Sequence, residues 1–234
     1  MYTLPQKLAA EFLGTFALIF LGAGSFCADQ YLRAANQPGL GLLAIAAANG
    51  LAYAVMVTAL AHISGGHLNP AVTIGFWVSR RIGTIQALLY WVVQIGGAAL
   101  GAYLLSVIIP EGTWLPVALG TPDTASDFTR IHAMSLEAAL TFILVFVFFA
   151  TVADAGGAFD KVGGFAVGLV VTVGMLVGYP FTGAAMNPAR AFGPALVAHH
   201  WTNHGVYWVG PLVGGVIGGF LYNVLFLGDQ PPAS

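Results

Sequence analysis

The sequence predicts an all-α membrane protein of six transmembrane helices and two half-helices, arranged as an inverted repeat. Three observations predict it. Hydrophobic residues make up 58% of the chain and charged residues 7%, where a soluble domain carries about a quarter charged. Six apolar runs are long enough to cross a bilayer, and two shorter ones each open on Asn-Pro-Ala. The two halves of the chain also repeat each other in register. Thirty-one glycines fit the same reading, because small residues let membrane helices approach closely. A net charge of −2 with no basic run argues against a nucleic-acid partner.

A hydrocarbon core of ~30 Å takes about 20 apolar residues per helix. The runs at 8–28, 41–62, 84–108, 133–153, 162–180 and 205–227 reach that length. The first, Leu8 to Phe26, is too long for a signal-peptide core and lacks a small-x-small site ahead of Asp29. It therefore reads as a retained span. Segments 70–79 and 188–198 are too short to cross. The link from 109 to 132 carries Pro110, Glu111, Pro116, Pro122, Asp123 and Asp127, and reads as an exposed loop between the halves. Cys27 is alone, so no internal disulfide can form.

The repeat is specific. "AEFLGTFALIF" matches "LEAALTFILVF", aligning Glu11 with Glu137 and Thr15 with Thr141. Asn69 to Gly96 is 27 positions, and Asn187 to Gly214 is again 27. Residues 1–234 thus read as one channel domain, with repeats at about 5–108 and 131–228. Three spans per half is an odd number, so the second copy enters the membrane inverted. Lys7, Arg80, Arg81 and Lys161 fall on one side and Arg33 and Arg130 on the other. That bias puts both termini in the cytoplasm.

The two Asn-Pro steps explain the short runs. Asn is among the best N-caps and proline is tolerated at the first helical position. Asn69 and Asn187 should cap half-helices opened by Pro70-Ala71 and Pro188-Ala189. Ten helical residues rise about 15 Å, half the hydrocarbon thickness. Inverted symmetry brings both N-termini to mid-membrane, where each Asn oxygen is spent on its own helix and each NH₂ is left free. Two positive dipole ends meet there. The stretches leading in must be extended, which is allowed at that depth only in protein or along a wet cavity. Their carbonyls, at Gly65, Gly66, His67 and Leu68 and at Gly183, Ala184, Ala185 and Met186, would form a ladder of acceptors. Acceptors interrupted by two donors suit small neutral hydrogen-bonding molecules and oppose cations and proton wires.

The two Asn-Pro-Ala boxes, "HISGGHLNPAVT" and "MNPARAFGPAL" closely resemble the aquaporin (major intrinsic protein) family over nearly the whole chain. The resemblance implies a homotetramer in the lipid bilayer with one pore per subunit, passing water and small uncharged solutes without a cofactor or metal. It places Arg190 in the outer aromatic/arginine constriction, and that role accounts for a cation beside the second box alone. The other constriction positions fall on Asn49, Met175 and Ala184 by ungapped alignment back from each box. Strict water channels of the family carry Phe and His at the first two, and glycerol facilitators carry aromatic walls. This chain has neither. Ala191, Ala195 and the pair Tyr207-Trp208 resemble the water branch, and the second box resembles the plant vacuolar branch. The resemblance thus implies a water channel with a wide, partly polar filter in the cell membrane, or a small-solute facilitator of the same family.

Other readings are weighed on the same residues. Glu11 and Glu137 are intramembrane carboxylates, which suggest a coupled transporter, but their equivalent placement favours support of the extended loops. His67 reads as a packed residue contributing its carbonyl, and His62 as packed rather than pH-sensing. His199, His200 and His204 lack a Cys or carboxylate at ligand spacing. No GxSxG or HExxH motif supports an enzyme. The glycine pairs Gly97/Gly101, Gly164/Gly168 and Gly214/Gly218 read as close-packing positions.

Overall fold

The computed structural model describes residues 2–154 and 163–228. Six helices are long and apolar enough to cross a membrane: α1 (Leu4–Ala34), α2 (Gly41–Ser64), α4 (Thr84–Ile108), α6 (Arg130–Phe148), α7 (Gly163–Thr182) and α9 (Val206–Tyr222). The last turns of the α6 and α9 spans, Phe149–Ala153 and Asn223–Leu227, widen to π geometry. Two half-helices, α3 (Pro70–Val78) and α8 (Pro188–Ala198), complete the set, with the short α5 (Glu111–Trp114) between α4 and α6. Among the described residues there is no strand. Lys161 of the charge argument lies outside the described residues.

Helix α1 runs past the apolar stretch because Asp29 and Arg33 pair one turn apart at 2.7 Å, and Asp29 also accepts from the Gly41 N–H at 2.9 Å. That carboxylate closes the α1–α2 loop.

The burial pattern is inverted relative to a water-soluble protein. Glu11, Thr15, Gln94, Glu137 and Thr141 are fully buried, while Leu43, Val55, Val92, Val107 and Leu225 are more than half exposed. Apolar surface facing outward is what lipid demands, and polar groups turned inward must then bond one another.

The tightest helix pairs are α1 with α4, α6 with α9, and α2 with α7. Glycines set each separation. A Cβ at Gly101 would come 2.7 Å from the Phe16 carbonyl, one at Gly218 2.8 Å from that of Phe142, and one at Gly164 2.7 Å from that of Ala54. The half-helices cross between repeats: α3 packs on α9, and α8 packs on α4. Gly215 and Gly219 of α9 lie against Ala71 and Gly75 of α3, and Gly193 of α8 lies against Ala98 of α4. Each half therefore seats its short helix on the other half, so neither can pack alone.

The link 109–132 departs from the expected exposed loop. Residues Leu115–Gly120 form a tight 3-10 segment ending in left-handed Ala118, Leu119 and Gly120, with φ of 44°, 52° and 67°. That run turns the chain inward and buries Leu119 and Gly120. The prolines marked a break in helix correctly, but composition does not tell which side of a turn faces the protein.

The glycine contacts predict a contrast in stability. Gly215→Ala drives a methyl into the Ala71 carbonyl and should cost about 1–3 kcal/mol. Gly96→Ala meets only the Phe12 ring, at 3.4 Å, and should stay within about 0.5 kcal/mol. Denaturant unfolding of the purified protein in detergent reads both.

Candidate functional site

The centre of the molecule is built from the two loops that lead into α3 and α8. Both take the same path. Helix α2 ends on left-handed Gly65 and α7 on left-handed Gly183. Positive φ recurs at Gly66 (61°) and Leu68 (51°) in the first loop, and at Ala184 (46°) and Met186 (50°) in the second. These are the same positions counted back from Asn69 and Asn187. Three of the four are not glycine, a conformation that must be held by strong outside bonds.

The bonds come from the two carboxylates. Glu11 on α1 accepts from the N–H groups of His67 (2.9 Å) and Leu68 (2.7 Å) and from Ser64 Oγ (2.6 Å). Glu137 on α6 accepts from Ala185 (2.9 Å), Met186 (2.8 Å) and Thr182 Oγ1 (2.7 Å). A tyrosine then ties each loop's start: Tyr90 donates to the Ser64 carbonyl at 2.7 Å, and Tyr207 to that of Thr182 at 2.9 Å. The first half adds a fourth donor to its carboxylate, Gln94 Nε2 at 2.8 Å.

Asn69 and Asn187 cap their helices. Asn69 Oδ1 accepts from Ala71 N at 2.8 Å, and Asn187 Oδ1 from Ala189 N at 2.9 Å and Arg190 N at 3.2 Å. Pro70 and Pro188 open the two helices, so neither first position has an N–H to satisfy. The sequence reading left both side-chain NH₂ groups free, and the structure engages one hydrogen of each. Asn69 donates to the Met186 carbonyl and Asn187 to the Leu68 carbonyl, each at 2.9 Å. One hydrogen of each amide thus bolts the loops together.

Three carbonyls of the expected acceptor ladder each already accept one hydrogen bond inside the protein. The Leu68 and Met186 carbonyls face the opposing Asn, and the His67 carbonyl accepts from Tyr53 at 2.6 Å. A cavity is lined by Asn187 and Arg190 together with Leu18, Asn49, Tyr53, Leu144, Val171, Met175, Ala184, Ala185 and Met186. Gly65, Gly66, His67, Leu68, Asn69 and Gly183 do not line it. All four expected constriction residues, Asn49, Met175, Ala184 and Arg190, do.

Their chemistry differs from expectation at one position. The Asn49 amide donates to the Ile45 carbonyl at 2.9 Å and reaches the Gly22 carbonyl and Ser25 Oγ of α1 at 3.4 Å, and the side chain packs on Gly22, where a Cβ would meet Oδ1 at 2.5 Å. Its NH₂ is therefore engaged by its own helix and by α1. Arg190 donates from Nη1 to the Gly120 carbonyl at 2.7 Å. Its Nη2 is buried with no protein acceptor among the described residues. Arg190 lines the cavity, so a guanidinium with one N–H group anchored and the other without a protein acceptor is a donor held at the cavity wall.

Sequence reasoning missed Tyr53, Val171, Gly120 and Phe26, which packs over Arg190 with its ring centroid 5.6 Å from Cζ. Helical spacing could have found two of them. Tyr53 follows Asn49 by four and Met175 follows Val171 by four, which puts each pair on one face. Gly120 and Phe26 come from remote segments and have no local signal.

The histidines divide. His67 is buried, with Nδ1 3.1 Å from Thr73 Oγ1. His62 is exposed and meets Tyr2 edge-on. On the opposite face, His200 Nε2 pairs with Asp123 Oδ2 at 2.9 Å, and His199 ends α8 in a left-handed conformation. His204 accepts from Trp208 Nε1 at 3.1 Å, and burial holds its imidazole below the usual range. Among the described residues no three His, Cys, Asp or Glu side chains could hold a metal.

The family model for the major intrinsic protein matches residues 2–222. Aquaporin TIP4-4 of Zea mays is 44% identical over 231 residues, covering 97% of this chain and 90% of that protein. Probable aquaporin TIP3-2 of Arabidopsis thaliana is 41% identical over 233 residues, covering 95% and 85%. In fold, the aquaglyceroporin of Plasmodium falciparum superposes with a TM-score of 0.83 at 24% identity, over 95% of this chain and 97% of that one. With matching caps, carboxylates and cross-packed half-helices in both repeats, this chain belongs to the major intrinsic protein family.

Proposed function

We propose that the protein is a passive channel for water that also passes small neutral solutes slowly and excludes protons and ions. One observation carries the reading. Asn69 and Asn187 each spend their oxygen on their own half-helix and one N–H on the opposite loop. What remains is one amide hydrogen on Asn187, which lines the cavity, and the Asn69 amide beside the lining Tyr53 hydroxyl, between two positive helix ends. A water molecule there can only accept, so its own hydrogens point away toward both mouths. A file of waters oriented that way cannot relay a proton through its centre. The unspent Nη2 of Arg190 repels cations and offers a hydrogen bond to a hydroxyl or carbonyl.

The rival readings lose their chemistry. Coupled transport needs a carboxylate that meets the lumen, yet Glu11 and Glu137 are fully buried and bound to the loops. The cavity lining is mostly apolar, with Asn49, Tyr53, Asn187 and Arg190 as its polar groups, which supports the reading as a channel. The outward apolar faces suit a homotetramer in lipid. The proposed setting is the cell membrane, and Lys7, Arg80 and Arg81 opposite Arg33 and Arg130 support cytoplasmic termini.

In proteoliposomes, osmotic shrinkage should run several-fold faster than in empty vesicles, with no dependence on an imposed pH gradient. An entrapped pH dye should report no added proton leak. Proton flux rising with water flux contradicts the donor-only centre, and water flux that follows the proton gradient would restore the transporter.

Ala184 lines the cavity, whereas Cys27 is fully buried. Mercurials should therefore leave the wild type conducting and block Ala184→Cys, with a reducing thiol restoring flow. Stopped-flow light scattering measures both, and block of the wild type would put Cys27 in the lumen instead.

A further inference from the structure

The guanidinium of Arg190 is held by two segments far apart in sequence. Gly120 takes Nη1 at 2.7 Å. Phe26, from α1, sets its ring centroid 5.6 Å from Cζ. That ring is 5% exposed and stacks on Tyr179 with centroids 5.6 Å apart and planes 28° from parallel. It is also wedged against the loop, since a Cβ on Gly120 would come 2.5 Å from Phe26 Cδ2. One aromatic side chain thus touches the arginine, the backbone that anchors it and the end of α7.

On the lumen side Asn49, Met175 and Ala184 line the cavity with Arg190 and have no aromatic face, and the Tyr53 ring, also in the lining, donates its hydroxyl to the His67 carbonyl at 2.6 Å. The Asn49 amide is engaged by Ile45, Gly22 and Ser25. A long cation held by one hydrogen bond can still pivot about it, and an aromatic face removes that freedom because the ring quadrupole attracts the guanidinium.

We propose that Phe26 is a specificity-determining positioning residue: it lies behind the lumen and holds the Arg190 guanidinium so that Nη2 meets each passing solute. Selectivity in this chain then depends on an aromatic supplied from α1, outside the pore lining. The proposal rests on the reading of Arg190 as the constriction. It implies that loss of the ring lets the arginine swing aside and admits larger neutral solutes.

The experiment compares urea permeability with water permeability in proteoliposomes for each variant, so that differences in folded channel number cancel. Phe26→Leu and Phe26→Met remove the π face, and Met also keeps most of the volume. Both should raise the urea-to-water ratio by about three- to tenfold. Phe26→Tyr keeps the face and should hold the ratio near wild type. In an Arg190→Ala background, Phe26→Leu should add nothing, because the ring acts only through the guanidinium. If Phe26→Leu does not assemble, Phe26→Met is read in its place. An unchanged ratio in both, an equal rise in Phe26→Tyr, or an additive effect with Arg190→Ala overturns the proposal. Should Arg190→Ala itself leave the ratio unchanged, the constriction reading fails too. A rise in Arg190→Ala with none in Phe26→Leu or Phe26→Met defeats only the role of Phe26.

Discussion

An unwound backbone in the middle of a bilayer survives only if each of its N–H groups finds an acceptor inside the protein. In this chain that acceptor is a buried carboxylate, supplied twice. Glu11 and Glu137 each take two consecutive N–H groups and one hydroxyl from the loop beside them. Consecutive N–H groups can converge on one carboxylate because Leu68 and Met186 adopt a left-handed conformation. The same twist turns the Leu68 and Met186 carbonyls toward the opposite loop, where Asn187 and Asn69 donate to them. The carboxylates, the strained residues and the central cross-bonds therefore stand or fall together.

The rest of the fold serves that centre. Each half-helix rests on the last span of the other repeat, at contacts that only glycine permits. The repeats are thus interlocked at the rim by backbone contact and at the middle by two amide bonds. Symmetry is broken where function needs a direction. The first half adds Gln94 to its carboxylate, and the second adds Arg190 one turn into its half-helix. Arg190 in turn recruits Gly120 and Phe26, so the mouth that carries the cation is the more elaborately braced.

Much of this was legible in the sequence. Spans emerged from apolar length, half-helices from Asn-Pro, and the supporting glutamates from their matched positions, because each of those signals is local or repeats at fixed spacing. What stayed hidden depends on distant partners. Asn49 lines the cavity, but an NH₂ engaged by Ile45, Gly22 and Ser25 cannot be read from a neighbouring residue type. The Asn amides had an acceptor across the symmetry axis that only the assembled loops create. Residues 115–120 carry ordinary loop chemistry, and three successive left-handed residues decide that they turn inward.

The central claim is that the carboxylates hold the loops in their conducting shape. Its most direct measurement is water permeability per reconstituted channel for Glu137→Gln. The amide keeps one acceptor oxygen but sets an NH₂ against the Ala185, Met186 or Thr182 donors, a loss of about 1.5–3 kcal/mol at the loop. The account predicts a large fall in water permeability while circular dichroism still shows the helical content of the six spans. Full water permeability in Glu137→Gln, with the proton barrier intact, would contradict it.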